Sequence, residues 1–426
     1  METITIGTFV GFCNRGAEAL LLTRIESIRK LVPDVKFYVL SIYTETCVSL
    51  KDVEYIDTFG GRAEKLRSIK YLFLSVYKAI VWTGNAFIFR LTGHCRNNDI
   101  KKIASSDVFV STDGDTLGEN YGFFPLLWRT YYLALGIIMK IPIVIYAEGT
   151  GPFNSRLGRI IAKYLFDKCA YISVRDEISR NHLVKLGIEK RKVNLVMDSA
   201  FLLNSSKKYL SFRENDKRLV GVAVSKLAAK YGFQGKKGKV GYKSFVDFMA
   251  KLIDWMIVNL NAKVIMIPHV VQITRDDYQT ARDIFKKIKN KNNVEILNRD
   301  FKASEFKKAI SCCDLVIASR MHAAIAALST NVPVIGIAYS HKMLGIFKGM
   351  GISDLVVDIK DLDLGIRNKI EKVLLESGSI KTKLKTKMAR AKKLAWKPAY
   401  EVARILNSRK TQKSIFKNLR YNKKRD

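Results

Sequence analysis

Arg320 and His322 stand two positions apart at the start of ASRMHAAIAALSTNVPVIGIAYSHKMLG, residues 318–345, and His341 and Lys342 stand near its end. A guanidinium offers paired N–H donors to a phosphate or carboxylate, and an ammonium offers a compact point charge. An imidazole titrates near neutrality and can hand over a proton. Together they suit a small ligand that carries both a phosphate and a carboxylate. The ordinary fate of a lone arginine or histidine is a solvated charge or a satisfied side chain. What argues against it here is position. Residues 315–318 read as a strand that ends at Ser319, so Arg320 and His322 fall where a strand gives way to a helix, and free N–H groups at a helix start attract anions. The next strand follows Pro333, and His341 and Lys342 come after its carboxyl end. If the two strands are neighbours, both loops share one rim of a sheet.

The elements that must hold these groups alternate along the whole chain. Apolar runs at 3–10, 35–41, 107–111, 142–147, 171–174 and 194–196 read as strands, with helical stretches at 16–31, 62–91, 122–139, 156–167 and 177–186 between them. A polar stretch, NSSKKYLSFRENDKR, covers 204–218 as a linker. Alternation then resumes, with strands at 219–224, 263–267, 294–296, 315–318 and 333–337 and helices at 242–260, 275–289, 304–310 and 321–328. Such alternation predicts parallel sheets wrapped by helices, with ligands at the carboxyl ends of the strands. The expected organisation is an N-terminal α/β domain over 1–203, the linker, a C-terminal α/β domain over 219–380 and a basic helical extension over 381–426.

The 426 residues are too many for one ordinary core, and a hydrophobic content of 48% suffices to bury two. The six cysteines (Cys13, Cys47, Cys95, Cys169, Cys312, Cys313) show neither metal spacing nor a disulfide framework, which points to a reducing compartment. The first residues read as a strand and a turn, without the basic region of a signal peptide. Formal net charge is +35, which implies an anionic partner: nucleic acid, an acidic membrane surface or a phosphorylated substrate. Two apolar stretches, 71–91 and 121–146, are interrupted by Lys78, Asn85 and Arg90 and by Arg129, Lys140 and Pro142. The first reads as an amphipathic helix able to lie on a membrane, and the second as a helix followed by a buried strand.

The segment 318–343 resembles the signature of the polysaccharide pyruvyl transferase family. The resemblance extends in order through GFCNRGAEALL (11–22), STDGDTLGENYG (111–122), AEGTGPF (147–153), ISVRDEIS (172–179) and MIPHV (266–270). It implies two Rossmann-like domains facing a cleft, an arrangement called GT-B. It also implies transfer of the enolpyruvyl unit of phosphoenolpyruvate to a sugar, as a cyclic ketal. On this resemblance the donor-binding residues are Arg175, Arg320, His322 and Lys342, with His322 as general acid. Glu18 and Asp115 are candidates for the base. Asn14, Gly16, Asp115 and Glu148 are acceptor-side candidates. Capping or turn-making is the plainer role for any one of these acids, and an ion pair to Asp176 or Glu177 is the plainer role for Arg175. Glu148 stands where many family members carry a small polar residue or glutamine, and STDGD lacks the family's run of glycines. Both departures lie on the acceptor side.

Such a mechanism needs no metal and no cofactor. The expected partners are phosphoenolpyruvate, a glycan or lipid-linked sugar acceptor and an anionic membrane surface, without nucleic acid. The expected location is the cytoplasm, peripheral to the inner face of the plasma membrane. Residues 381–426 hold 17 Lys or Arg against Glu401 and Asp426, interleaved near the end with Ile415, Phe416, Leu419 and Tyr421. That composition suits an anionic bilayer. Two other functions fit parts of the sequence: a GT-B glycosyltransferase that uses a sugar nucleotide, and a basic nucleic-acid-binding protein. The latter lacks zinc-finger spacing and any RRM signature.

Overall fold

The computed structural model describes residues 1–59, 68–111, 114, 116–208, 210, 212, 214, 216–227, 232–272 and 275–422; of 272, 275 and 412–422 it describes the backbone alone. The chain forms two compact units. One comprises Met1–Phe12, Leu20–Asp198 and Trp396–Asp426, and the other Cys13–Ala19 and Ser199–Ala395.

The first unit is built from β1 (Glu2–Phe9), α1 (Arg15–Leu31, its first turn counted with the second unit), β2 (Val35–Ser41), β3 (Val53–Asp57), α2 (Ile69–Thr92), α3 (Asn98–Ala104), β4 (Val108–Ser111), α4 (Phe123–Ile138), β5 (Ile143–Glu148), α5 (Arg156–Asp167), β6 (Tyr171–Val174), α6 (Glu177–Lys185) and β7 (Val193–Leu195). Its seven strands pair in parallel in the order β3-β2-β1-β4-β5-β6-β7. The order reverses between β1 and β4, where open α/β sheets leave a crevice. Strand β3 is absent from the sequence reading because its burial is only partial, so its apolar run is short. Local chemistry sets the helix ends. Ser68 caps α2 by accepting from the Tyr71 N–H, and Gly93 ends it at φ 74°, a left-handed conformation that costs glycine least. Asp176 caps α6 through the Ser179 N–H at 2.7 Å.

The second unit contains β8 (Arg218–Ala223), α7 (Gly238–Leu260), β9 (Ala262–Met266), a two-stranded ribbon of β10 (Val271–Gln272) and β11 (Arg275–Asp276), α8 (Asp277–Lys287), β12 (Val294–Ile296), α9 (Ala303–Ser311), β13 (Leu315–Ala318), α10 (Met321–Ser329), β14 (Val334–Ala338), α11 (His341–Gly349), β15 (Val356–Asp358) and α12 (Ile366–Leu375). Its parallel sheet runs β12-β9-β8-β13-β14-β15 and reverses between β8 and β13. Strands β13 and β14 are therefore direct neighbours, in register at Val316 with Val334. The described residues between Leu203 and Arg218 form no helix or strand.

The basic C-terminal region is one long helix, α13 (Ser377–Asn422). It starts before the expected boundary at 381. Ile380, Leu384, Met388, Ala391 and Ala395, then Ala399, Val402, Ala403, Ile405 and Leu406, are buried, at the three- and four-residue spacing of a packed helix face. Within the first unit, Arg409 donates to the Asp107 carbonyl at 2.7 Å and Lys410 pairs with Glu2. The side chains of Ile415, Phe416, Leu419 and Tyr421 lie outside the described residues.

Candidate active site

In the second unit, Arg320 is the residue before α10 and His322 lies in that helix's first turn; Lys342 holds the equivalent place in α11. Both helices follow the carboxyl ends of adjacent parallel strands, and Arg320 sits at the point where strand order reverses. Arg320 is not simply presented to a ligand. Its Nε donates to Asp277 Oδ2 at 2.8 Å and its Nη2 to Asp277 Oδ1 at 2.6 Å. Asp277 is fully buried and also accepts from the Val270 N–H at 2.9 Å. This fork holds the guanidinium in one orientation. Nothing local in the sequence marks Asp277 as the partner of an arginine 43 residues away.

The Asn14–Glu18 segment packs in this same unit. The Val271 N–H donates to the Cys13 carbonyl at 2.9 Å and the Arg15 N–H to the His269 carbonyl at 3.1 Å. Asn14 Oδ1 accepts from the Gly16 N–H at 3.0 Å, so Asn14 serves as the cap of α1. Gly16 lies against the His322 ring: a Cβ there would stand 2.2 Å from Nδ1. His269 lies parallel to His322, with ring centroids 6.4 Å apart and planes 10° apart. Burial, then the cationic neighbours His322, Arg320 and Arg15, pull the His269 pKa well below its ordinary value, so this imidazole is neutral at pH 7. Arg15 Nη1 donates to Glu18 Oε2 at 3.1 Å, and Nη2 donates to the Arg299 carbonyl at 2.8 Å. Glu18 is 1% exposed. Burial raises its pKa, against Arg15 and the Ala303 N–H at the start of α9. Lys342 has its pKa pulled down to about 7 by burial of the ammonium.

The first unit holds Arg175 and Glu148. Arg175 follows β6, and its Nη1 donates to Asp198 Oδ2 at 2.8 Å, both side chains being buried. Neither Asp176 nor Glu177 takes it: Asp176 caps α6, and Glu177 pairs with Arg180. Among the described residues, Arg175 Nε and Nη2 have no hydrogen-bond partner. A Cβ on Gly149 would stand 3.1 Å from Nη2, so glycine leaves that edge of the guanidinium uncovered. Asp198 follows β7, the neighbour of β6, so the strand-end logic used for Arg320 and Lys342 could have found it. Glu148 is fully buried; it accepts from Ser111 Oγ at 3.0 Å and lies 3.5 Å from Arg24 Nη2. With Thr8, Ser111, Thr116 and Arg129 it lines a cavity of about 10 Å³, the room of one water. Strands β1 and β5 lose register beside it, and Thr8 and Ala147 have φ of 40° and 51°. Bulges and left-handed non-glycine residues of this kind concentrate at functional sites. Asp115 lies outside the described residues.

Two Rossmann-like sheets with cationic and imidazole groups at the strand ends define an α/β protein of the GT-B-like class. The solved structures agree with that fold. A UDP-N-acetylglucosamine 2-epimerase homologue from Listeria monocytogenes superposes with a TM-score of 0.61 at 9% identity, covering 97% of this chain and 98% of that one. The UDP-GlcNAc 2-epimerase of Neisseria meningitidis, bound to UDP-GlcNAc, gives 0.59 at 10%, covering 96% and 100%. HepE of Anabaena, with UDP and glucose, gives 0.56 at 12%, again covering 96% and 100%. Residues 14–341 match the polysaccharide pyruvyl transferase family, and the chain belongs to it. The amylovoran biosynthesis protein AmsJ of Erwinia amylovora is 26% identical over 285 residues, which is 64% of this chain and 66%, just under two thirds, of AmsJ.

Proposed function

We propose that the chain transfers a pyruvyl group from phosphoenolpyruvate to a sugar of a polysaccharide or its precursor. The observation that carries this reading is the placement of Arg320, His322 and Lys342 after two adjacent parallel strands, with Arg320 locked by Asp277. A donor with a phosphate and a carboxylate suits a guanidinium held in one orientation and a lysine whose buried ammonium gains from an anion. Arg175, with two buried nitrogens that have no hydrogen-bond partner among the described residues, is the first unit's candidate for binding an anionic substrate group.

Phosphoenolpyruvate plus a sugar with two hydroxyls yields the ketal and hydrogen phosphate. His322 protonates the methylene carbon, and the neighbouring carbon becomes cationic. One hydroxyl oxygen bonds to that carbon and loses its proton to a base. The second oxygen bonds there as the carbon–oxygen bond to phosphate breaks, and its proton leaves with the phosphate. A neutral His269 stacked on His322 adds no second charge beside the acid. Among the acids that the sequence singles out, the contacts of Glu18 with Arg15 and the start of α9 favour a fastening role. Asp115 is then the residue to test as base. Asn14 and Gly16 shape the loop against His322, and Glu148 organises the carboxyl ends of β4 and β5. The acceptor is a glycan or lipid-linked sugar, met at the cytoplasmic face of the plasma membrane; the charge of +35 supports an anionic surroundings of that kind.

The test is incubation with phosphoenolpyruvate and a panel of sugars that carry neighbouring hydroxyl pairs. The expected result is phosphate release with an acceptor mass gain of one pyruvate less one water. Release of a nucleotide from a sugar nucleotide, with no reaction of phosphoenolpyruvate, would replace this reading with a glycosyltransferase.

A further inference from the structure

Helices α2, α4 and α5 lie together in one layer of the first unit and share one core, with Trp82 and Ala86 of α2, Trp128 and Tyr132 of α4, and Ala162 and Phe166 of α5. Their outward faces are unusually apolar. Along α2, only Ser75, Trp82 and Ala86 are buried. On the opposite side Ile69, Phe73, Tyr77, Ile80, Phe87, Ile88 and Leu91 are between 52% and 84% exposed. Steps of three, four and seven residues put them on one helix face, with Gly84 between Ile80 and Phe87. Beside it, Val76, Ile80, Phe87, Leu127 and Tyr131 line an open groove of about 540 Å³. Phe124 of α4 and Leu157, Ile160 and Tyr164 of α5 extend the exposed apolar surface, each more than half exposed. Patches of this extent mark an interaction site.

Charge selects the partner. Helix α2 carries Lys70, Lys78 and Arg90 and no carboxylate. By helical angle Lys78 and Arg90 flank the apolar stripe. On α5 and just after it, Arg156, Arg159, Lys163 and Lys168 are exposed around Leu157, Ile160 and Tyr164; Asp167 pairs with Lys163, and Glu119 lies near Arg159. An apolar stripe edged by cations fits an anionic lipid surface, where stems bury and charged heads reach the headgroups. A second copy of the chain would bring α2 cations against α2 cations without a compensating acid. Helix α2 is also long and apolar enough to cross a membrane. Its buried face argues against that: Tyr131 Oη donates to the Ala79 carbonyl at 3.0 Å, and Asn85 Oδ1 accepts from the Asn97 N–H at 3.3 Å. A spanning helix would give up both contacts and the packing of Trp82.

We infer that the α2–α4–α5 layer is a docking surface for an anionic lipid bilayer, with α2 lying in the plane of the interface. This goes beyond pyruvyl transfer and does not depend on it. The test is flotation of the full chain with vesicles of phosphatidylglycerol and phosphatidylcholine, beside phosphatidylcholine alone, at low and high salt. The I80D/F87D variant replaces two exposed side chains, so folding is expected to persist, and a melting curve checks it. V240D/V258D makes the same charge change at exposed positions of α7. The wild type and V240D/V258D should float with anionic vesicles, less so at high salt, and I80D/F87D should bind about tenfold more weakly or less. Several results would overturn the inference: equal flotation of I80D/F87D and wild type, no preference of the wild type for anionic lipid, or retention in vesicles through alkaline carbonate, which would mark a span. A vesicle-free dimer in light scattering, abolished by I80D/F87D, would assign the face to a second copy.

Discussion

Gly16 and His322 are in such close contact that a methyl group on Gly16 would stand 2.2 Å from His322 Nδ1 and 2.8 Å from Cγ. Gly16 → Ala must therefore push the imidazole aside or bend the loop. Overpacking of this kind costs about 1–3 kcal/mol. The expected kinetic result is a fall in kcat much larger than the change in donor affinity, because the ring moves while Arg320 and Lys342 stay. Comparison of turnover with donor binding by calorimetry checks this; unchanged turnover would remove His322 from the chemistry.

Arg320 and Asp277 should behave as one unit. Arg320 → Ala leaves the fully buried Asp277 without its fork, and stranding one partner of a buried pair costs about 3–5 kcal/mol. Asp277 → Asn keeps the shape but weakens the fork, so donor affinity should drop while the fold survives. The double replacement Arg320 → Met with Asp277 → Leu should regain most of the stability lost in Arg320 → Ala and none of the donor binding. Denaturant melts beside donor titrations separate the two effects. If Arg320 → Ala loses only stability and the double variant binds donor normally, the pair is structural.

Lys342 titrates near 7 in the folded chain, against an ordinary value of 10.5. An anionic ligand beside it favours the ammonium and raises that pKa. Between about pH 7 and 10, donor binding should then take up a proton, and affinity should fall as pH rises through this window. Calorimetry in buffers of different ionisation enthalpy counts the proton, and Lys342 → Met should abolish the uptake. Lys307, also pulled to about 7 by burial and bonded to the Leu203 carbonyl at 2.6 Å, gives the opposite kind of signal. It makes the fold more stable as pH rises from about 7 towards 10.5, since only the unfolded chain stays protonated there. It should not alter the donor-linked uptake.

Among the described residues, the end of α13 buries side chains as far as Leu406 and is held by the Arg409 hydrogen bond and the Lys410–Glu2 ion pair. A chain ending after Lys410 keeps all of these contacts and should be the most stable of three truncated forms. One ending after Ala395 uncovers the surface beneath Ala399, Val402, Ile405 and Leu406, and should lose several kcal/mol at about 25 cal/mol per Å² of apolar area. Cutting after 408 removes the Arg409 bond and should fall between them. Thermal melts of the three forms check the order.

The strands that carry the site could be read without coordinates. Runs such as LVIA at 315–318 and VIGIA at 334–338 are fully buried, so both faces had to be apolar and the run stands out against its polar turns. The residues after them inherit a location from that pattern, which is why Arg320, His322 and Lys342 were legible as candidates. Strands β3 and β15 were not, because they are partly exposed along most of their length, and neither forms a continuous apolar run. Partners were decided only by tertiary structure. Asp277 meets Arg320 across 43 residues, and Asp198 meets Arg175 across 23, through strand order that no local period encodes. The NRGAE turn follows the first strand in sequence, yet it packs with the second unit through Cys13, Arg15 and His269. Composition likewise counted the cations of the C-terminal region but not its buried stripe, because a helix face is defined by what lies against it. Periodicity is a property of neighbouring residues and survives in a bare sequence; the pairing of charges depends on chain segments brought together by burial of the core, and exists only once the sheets have formed.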